Sequence, residues 1–236
     1  MTNAPAASHL RNHAYERFRQ LVLASRLRPG QFVSQQELTL LLGMPLGAVR
    51  EMIPRLEAAR LITTVPKRGL QIASVDLKLI RNAFDVRSMI EREAVANFVR
   101  RVRDDEVAAL VASHQALLAR AMAGRDDPAL DEDALAVDWA LHNRMVDLMD
   151  NEILSDMYRV NNLHIKLIRI DSALARPMRV VPAMQEHLAF LDAVQARDES
   201  RAAALMAAHI DASRQRVLAR ASGAQEADHP PARKSA

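Results

Sequence analysis

The apolar residues of this chain repeat with a helical period almost throughout, and that period is clearly broken once. After Leu61 comes the β-branched run Ile62-Thr63-Thr64-Val65, then the turn sequence Pro66-Lys67-Arg68-Gly69, then Leu70-Gln71-Ile72-Ala73. These are the marks of a small hairpin with two basic residues at its tip. No comparable strand signal follows. Composition agrees, because Gly and Pro together number 16 and the aromatics eight in 236 residues, which favours helices over a sheet-rich fold. Cysteine is absent, so a disulfide scaffold, a thiolate metal site and a cysteine nucleophile are all excluded.

Three short helices are predicted before the hairpin. His13 to Ser25 puts Ala14, Phe18, Leu21 and Val22 on one side and is stopped at Arg28-Pro29-Gly30. Ser34-Gln35-Gln36-Glu37 is a capping box, in which hydroxyl and carboxylate satisfy the free amides of a helix start, and Gly43 ends that helix. The third helix follows Pro45, with Val49, Met52, Ile53 and Leu56 on its apolar face and Arg50, Glu51, Arg55 and Glu57 opposite. Pro54 lacks an amide donor and is expected to bend it. Three helices followed by a basic hairpin form a winged helix-turn-helix, whose third helix enters the major groove of DNA and whose wing reaches the backbone or minor groove. Charge agrees: residues 1–74 carry a net +6 and residues 75–236 a net −3. Arg50, Arg55, Lys67 and Arg68 are the candidate contacts to double-stranded operator DNA.

The rest of the chain reads as helices over 76–102, 104–124, 131–149, 151–174, 180–196 and 199–221. Their short links predict an antiparallel all-helical bundle. The expected fold is therefore mainly α, with a flexible start at 1–11, the winged domain at 12–74, the bundle at 75–222 and a disordered tail at 223–236. No uncharged run approaches the ~20 residues a membrane span needs, and that from Leu38 to Val49 is interrupted by Gly and Pro. With no signal-like start either, a cytoplasmic protein without membrane contact is expected.

Inside the bundle, polar residues fall on apolar stripes. Asp138 and His142 share a face with Leu135, Met145 and Met149; His187 lies with Met184 and Leu191; His209 lies with Ala202 and Met206. Burying one carboxylate and three imidazoles without partners costs several kcal/mol, by the ~2 to 7 kcal/mol typical of a polar group. A divalent transition metal, one per chain, would compensate; zinc, nickel, iron and manganese all suit this thiolate-free set. His9, His13, His114, His164 and His229 are assigned no ligand role.

Arg28-Pro29-Gly30, Glu37-Leu38 to Leu42-Gly43, Ala48-Val49-Arg50-Glu51, Arg55-Leu56-Glu57-Ala58 and Lys67-Arg68-Gly69, in this order, resemble the GntR transcription regulators. The resemblance is to the FadR-like branch with an FCD C-terminal domain, and it spans residues 12 to 220. Asp138-x3-His142 followed by His187 and His209 matches the FCD metal pattern at all four positions. The resemblance implies a homodimeric regulator, most often a repressor, that takes a small organic acid as effector beside the metal. It also implies that Arg50 contacts DNA from the recognition helix, that Arg68-Gly69 is the wing tip, and that Arg87 faces the effector. The chain departs from the family at Leu46, where an arginine that reads DNA is often found. Two other readings share the same ligands: a helical-bundle metalloenzyme and a sensor of the metal itself. Against the enzyme, the chain has no paired Glu-x-x-His motifs and no evident general base.

Overall fold

The computed structural model of the chain describes residues 4–124, 126–171 and 179–228, and these are mainly helical. They fall into two compact units. The first comprises the described residues up to Ile80, those from Asn162 to Asp171 and those from Ala221 on. The second comprises Arg81–Asn161 and the described residues from there to Arg220.

The first unit contains α1 (Ala4–Leu23), β1 (Phe32–Val33), α2 (Gln35–Leu42), α3 (Leu46–Ala58), β2 (Ile62–Val65) and β3 (Gly69–Ile72). The capping box forms as the sequence predicts: the Ser34 amide donates to Glu37 Oε2 at 2.7 Å and the Glu37 amide to Ser34 Oγ at 3.1 Å. Gly43 closes α2 in the left-handed region at φ 58°. Strands β2 and β3 pair antiparallel, Ile62 opposite Ile72 and Val65 opposite Gly69. β1 pairs on the other side of β3, so the sheet has three strands in the order β1-β3-β2. The requirement for glycine at 69 is steric, because φ is +95° and a Cβ would stand 3.0 Å from the Val33 carbonyl oxygen. α3 continues through Pro54 to Ala58, held by Val49, Met52, Ile53 and Leu56, which are buried.

α1 begins at Ala4, inside the stretch expected to be flexible. Alanine-rich sequence with a proline in the first turn is well suited to a helix start.

The second unit is all-helical over its described residues and is built on α4 (Leu77–Arg101), α5 (Asp104–Met122), α6 (Leu130–Asp147), α7 (Glu152–Ile170), α8 (Val180–Gln195) and α9 (Glu199–Asp228). Arg197 closes the end of α4 by donating from Nη1 to the carbonyls of Val99 at 2.6 Å and Val102 at 2.9 Å, which have no partners within the helix. α9 reaches Asp228, past the predicted end at 221, because Ala224-Gln225-Glu226-Ala227 are good helix formers; the remainder of the expected tail lies outside the described residues.

α7 changes allegiance along its length. To Asn161 it belongs to the helical unit, and from Asn162 to the winged unit. Leu163 and Leu167, one turn apart, join Phe18, Leu38, Met52, Leu56 and Ile72 in the winged core. The sequence reading ends the winged domain at residue 74, because periodicity shows that a helix has a buried face and not what that face meets.

Candidate metal centre and nucleic-acid face

Asp138 and His142 lie one turn apart on α6, so both project from the same side of the helix. His187 projects from α8 between Met184 and Leu191, and His209 from α9 beside Met206. The four converge, with one potential ligand atom from each within 4.8 Å of all the others. Their exposures are 1%, 2%, 0% and 6% in chain order. His187 Nε2 is 3.6 Å from Asp138 Oδ1 and 3.3 Å from His209 Nε2, and His142 Nε2 is 4.0 Å from Asp138 Oδ1.

The outward nitrogens of two of these rings are fixed by carboxylates. His142 Nδ1 donates to Glu91 Oε2 at 2.6 Å, and His209 Nδ1 to Glu186 Oε2 at 2.7 Å. In the neutral rings these bonds leave the lone pair on Nε2, directed at the centre. His142 Nε2 is buried there without a hydrogen-bond partner. Two Nε2 atoms facing each other at 3.3 Å, with a carboxylate oxygen beside them, form a donor set for a cation, and the carboxylate–histidine pairs behind them are the usual supports of metal-bound imidazole. The residues fit a divalent transition metal.

Glu91, on α4, is itself buried and held three times: by His142, by Arg87 Nε at 2.7 Å and by the Tyr158 hydroxyl at 2.6 Å. Burial raises its pKa, but the Arg87 charge and the bonds from His142 and Tyr158 outweigh that and hold it down at about 2. Burial, reinforced by the Arg87 charge, lowers the pKa of His142; burial also lowers that of His187, well below the usual histidine value. Neutral imidazole is the form that ligates.

The winged unit presents the other predicted residues. Arg50, Arg55, Lys67 and Arg68 are all exposed, and Gly69 is half-buried at the wing turn. Arg50 Nε donates to Gln35 Oε1 at 3.0 Å; Arg55 lies 3.7 Å over the Tyr15 ring and donates to Asn12; Arg68 lies 3.8 Å over the Phe32 ring. All of these partners are neutral. Among the described residues, none of the four cations is ion-paired. In the helical unit, by contrast, Arg100, Arg120, Arg144, Arg159, Arg197 and Arg201 each pair with a carboxylate.

The FCD domain family model matches residues 82–212, more than half of the chain and all four cluster residues. The chain belongs to the FCD domain family. The likeness of this FCD protein extends beyond the matched segment. It is 24% identical over 198 residues to the Nta operon transcriptional regulator of Aminobacter aminovorans, covering 84% of this chain and 90% of that one. It is 25% identical over 192 residues to the HTH-type transcriptional repressor GlaR of Escherichia coli, covering 80% and 87%. The solved structure of E. coli McbR/YncC superposes with a TM-score of 0.72 at 17% identity, covering 93% of this chain and 99% of that one, and so shares its fold.

Arg87 of this FCD protein, the predicted effector residue, is buried and engaged with Glu91, with its charge close enough to Asp138 to be felt. Sequence reasoning missed Glu91, Glu186 and His114. His114 on α5 is fully buried, with Nε2 3.2 Å from His187 Nδ1. Glu91 carried a faint signal, since it follows Arg87 by four residues on one helix. That spacing is also the ordinary spacing of surface ion pairs.

Proposed function

We propose that this FCD protein is a homodimeric, DNA-binding transcription regulator, a repressor whose hold on its operator is released by a small organic acid bound beside a divalent metal ion. The observation that carries the reading is the winged unit's set of four exposed cations on α3 and the wing, none of them ion-paired among the described residues and three of them, Arg50, Arg55 and Arg68, held by neutral groups. Such cations are available to phosphates and base edges. The relatives named as regulators support it, and a role at DNA places the chain in the cytoplasm. In the helical unit Asp138, His142, His187 and His209 would hold the ion, which supplies a Lewis acid to an incoming carboxylate. Arg87, whose Nε is taken by Glu91 and whose charge is felt at Asp138, supplies positive charge for the acid. The acid acts on DNA binding only through a difference in affinity between two states of the protein.

The enzyme alternative requires a base. Glu91, held ionised at about 2 and bonded three times, is a poor one, and Glu186 is engaged by His209.

Selection of DNA sequences by the purified chain, followed by gel shift, tests the proposal. An inverted repeat should emerge, as expected for a two-fold dimer. Arg50→Ala and Arg68→Ala should weaken its binding, by about 1 to 3 kcal/mol where a bidentate base contact is lost. If no sequence is enriched, or both variants bind like the parent, the reading fails.

A further inference from the structure

His114 stands outside the set of four, on a different helix, and no ligand role is needed for it. Its ring is buried and bonded at both nitrogens: Nδ1 is 2.7 Å from the Leu110 carbonyl oxygen and Nε2 is 3.2 Å from His187 Nδ1. A carbonyl oxygen has no proton to give, so the bond to Leu110 requires the hydrogen on His114 Nδ1. The ring is fully buried and its two bonds go to a carbonyl and an imidazole rather than to a carboxylate, so the neutral form is the one that fits and its Nε2 carries only a lone pair. His187 Nδ1 must then be the donor across the 3.2 Å contact. A neutral imidazole has one N–H, so the lone pair of His187 falls on Nε2, the atom 3.6 Å from Asp138 Oδ1.

We infer that His114 is a positioning residue: it fixes His187 in the tautomer that bears its proton on Nδ1 and so aims a bare Nε2 at the metal centre. The inference rests on the metal reading for its purpose, though not for its geometry. It completes a pattern, in which each of the three cluster imidazoles has its outer nitrogen tied down. Glu91 ties His142 and Glu186 ties His209, and where a carboxylate would be expected behind His187 the chain places a neutral imidazole. The direction of the bond is set by the backbone of α5, since Leu110 and His114 are one helical turn apart. The chain Leu110 carbonyl, His114, His187 therefore runs one way only. A neutral acceptor also adds no negative charge to the site, so the net charge around a divalent ion is set by Asp138, Glu91 and Glu186 against Arg87.

Two substitutions and one spectroscopic measurement test this. His114→Leu removes the acceptor; His114→Gln restores one, because an amide oxygen reaches about as far as the ring Nε2. Zinc affinity by chelator competition should fall roughly 10- to 100-fold in His114→Leu, the usual loss for such a supporting group, and stay within a few fold of the parent in His114→Gln. In the 15N-labelled, metal-free parent, long-range proton–nitrogen correlation should show His187 protonated on Nδ1, with assignment by loss of the signal in His187→Gln. In His114→Leu that preference should be lost. Parent-like zinc affinity in a folded His114→Leu, or a His187 protonated on Nε2 in the metal-free parent, overturns the inference. A parent that takes up no zinc but shows the Nδ1 tautomer overturns the metal reading and leaves the orienting bond established.

Discussion

At the residue scale, a buried histidine can have the site of its proton set by a neighbour, and His164 shows this away from the cluster of Asp138, His142, His187 and His209. Its Nε2 donates to the Ala59 carbonyl at 3.0 Å, just past the end of α3, while its Nδ1 is buried without a partner. Burial, with help from the Arg60 charge, holds its pKa below the ordinary 6.5. The unfolded chain therefore binds more protons between 6.5 and that lowered value, and stability rises with pH across this window. The contribution is complete above about 6.5 and is lost as pH falls toward the folded value. His164→Gln keeps an N–H for Ala59 and cannot titrate. In EDTA-treated protein followed by circular dichroism, its urea midpoint should fall less than the parent's between pH 7.5 and 5.5. Equal falls would show that His164 does not contribute. Nothing in the sequence distinguishes the five histidines outside the cluster from one another. His114 and His164 become informative only when their partners, 73 and 105 residues away, are brought beside them.

At the element scale, α3 carries an internal cost. Pro54 removes the amide that would bond to the Arg50 carbonyl, and proline in a helix interior is about 3 kcal/mol worse than alanine. Pro54 is exposed, so Pro54→Ala disturbs no packing. It should stabilise the chain by roughly 1 to 3 kcal/mol in urea denaturation, less if α3 is already distorted to suit the proline. A lower midpoint would mean that the proline stiffens the unfolded chain by more than it harms the helix. The helices themselves were legible because their apolar faces repeat and their ends carry Ser34, Gly43 and Gly124. Strand β1 was not, since two residues cannot display an alternation. The four cluster residues were legible because polar side chains interrupted apolar stripes on three helices. Their supports were not, because Glu91 and Glu186 look like any charge on a helix until the imidazoles behind them are located.

At the scale of the whole molecule, an ion bound by residues from α6, α8 and α9 ties together segments from Asp138 to His209, so it should stabilise the folded chain by mass action. With free zinc at about 100 times its dissociation constant the gain should be about 2.7 kcal/mol. His209→Ala should lose most of that gain while its metal-free stability is compared separately, and a parent whose thermal midpoint ignores zinc would count against the centre. The winged unit has a different dependence, on chain that arrives late. Leu163 and Leu167 are buried in its core with Phe18, Leu38 and Leu56, yet they are encoded some ninety codons after the wing ends at Ile72. A gene cut after Ile80 would yield a reading head missing part of its own interior. Exchange of such heads between regulators by a single recombination event would break two interiors at once, whereas two crossovers that carry the stretch from Asn162 along with the first eighty codons would transfer one intact. Descent in this lineage should therefore show the head and that distant stretch changing together.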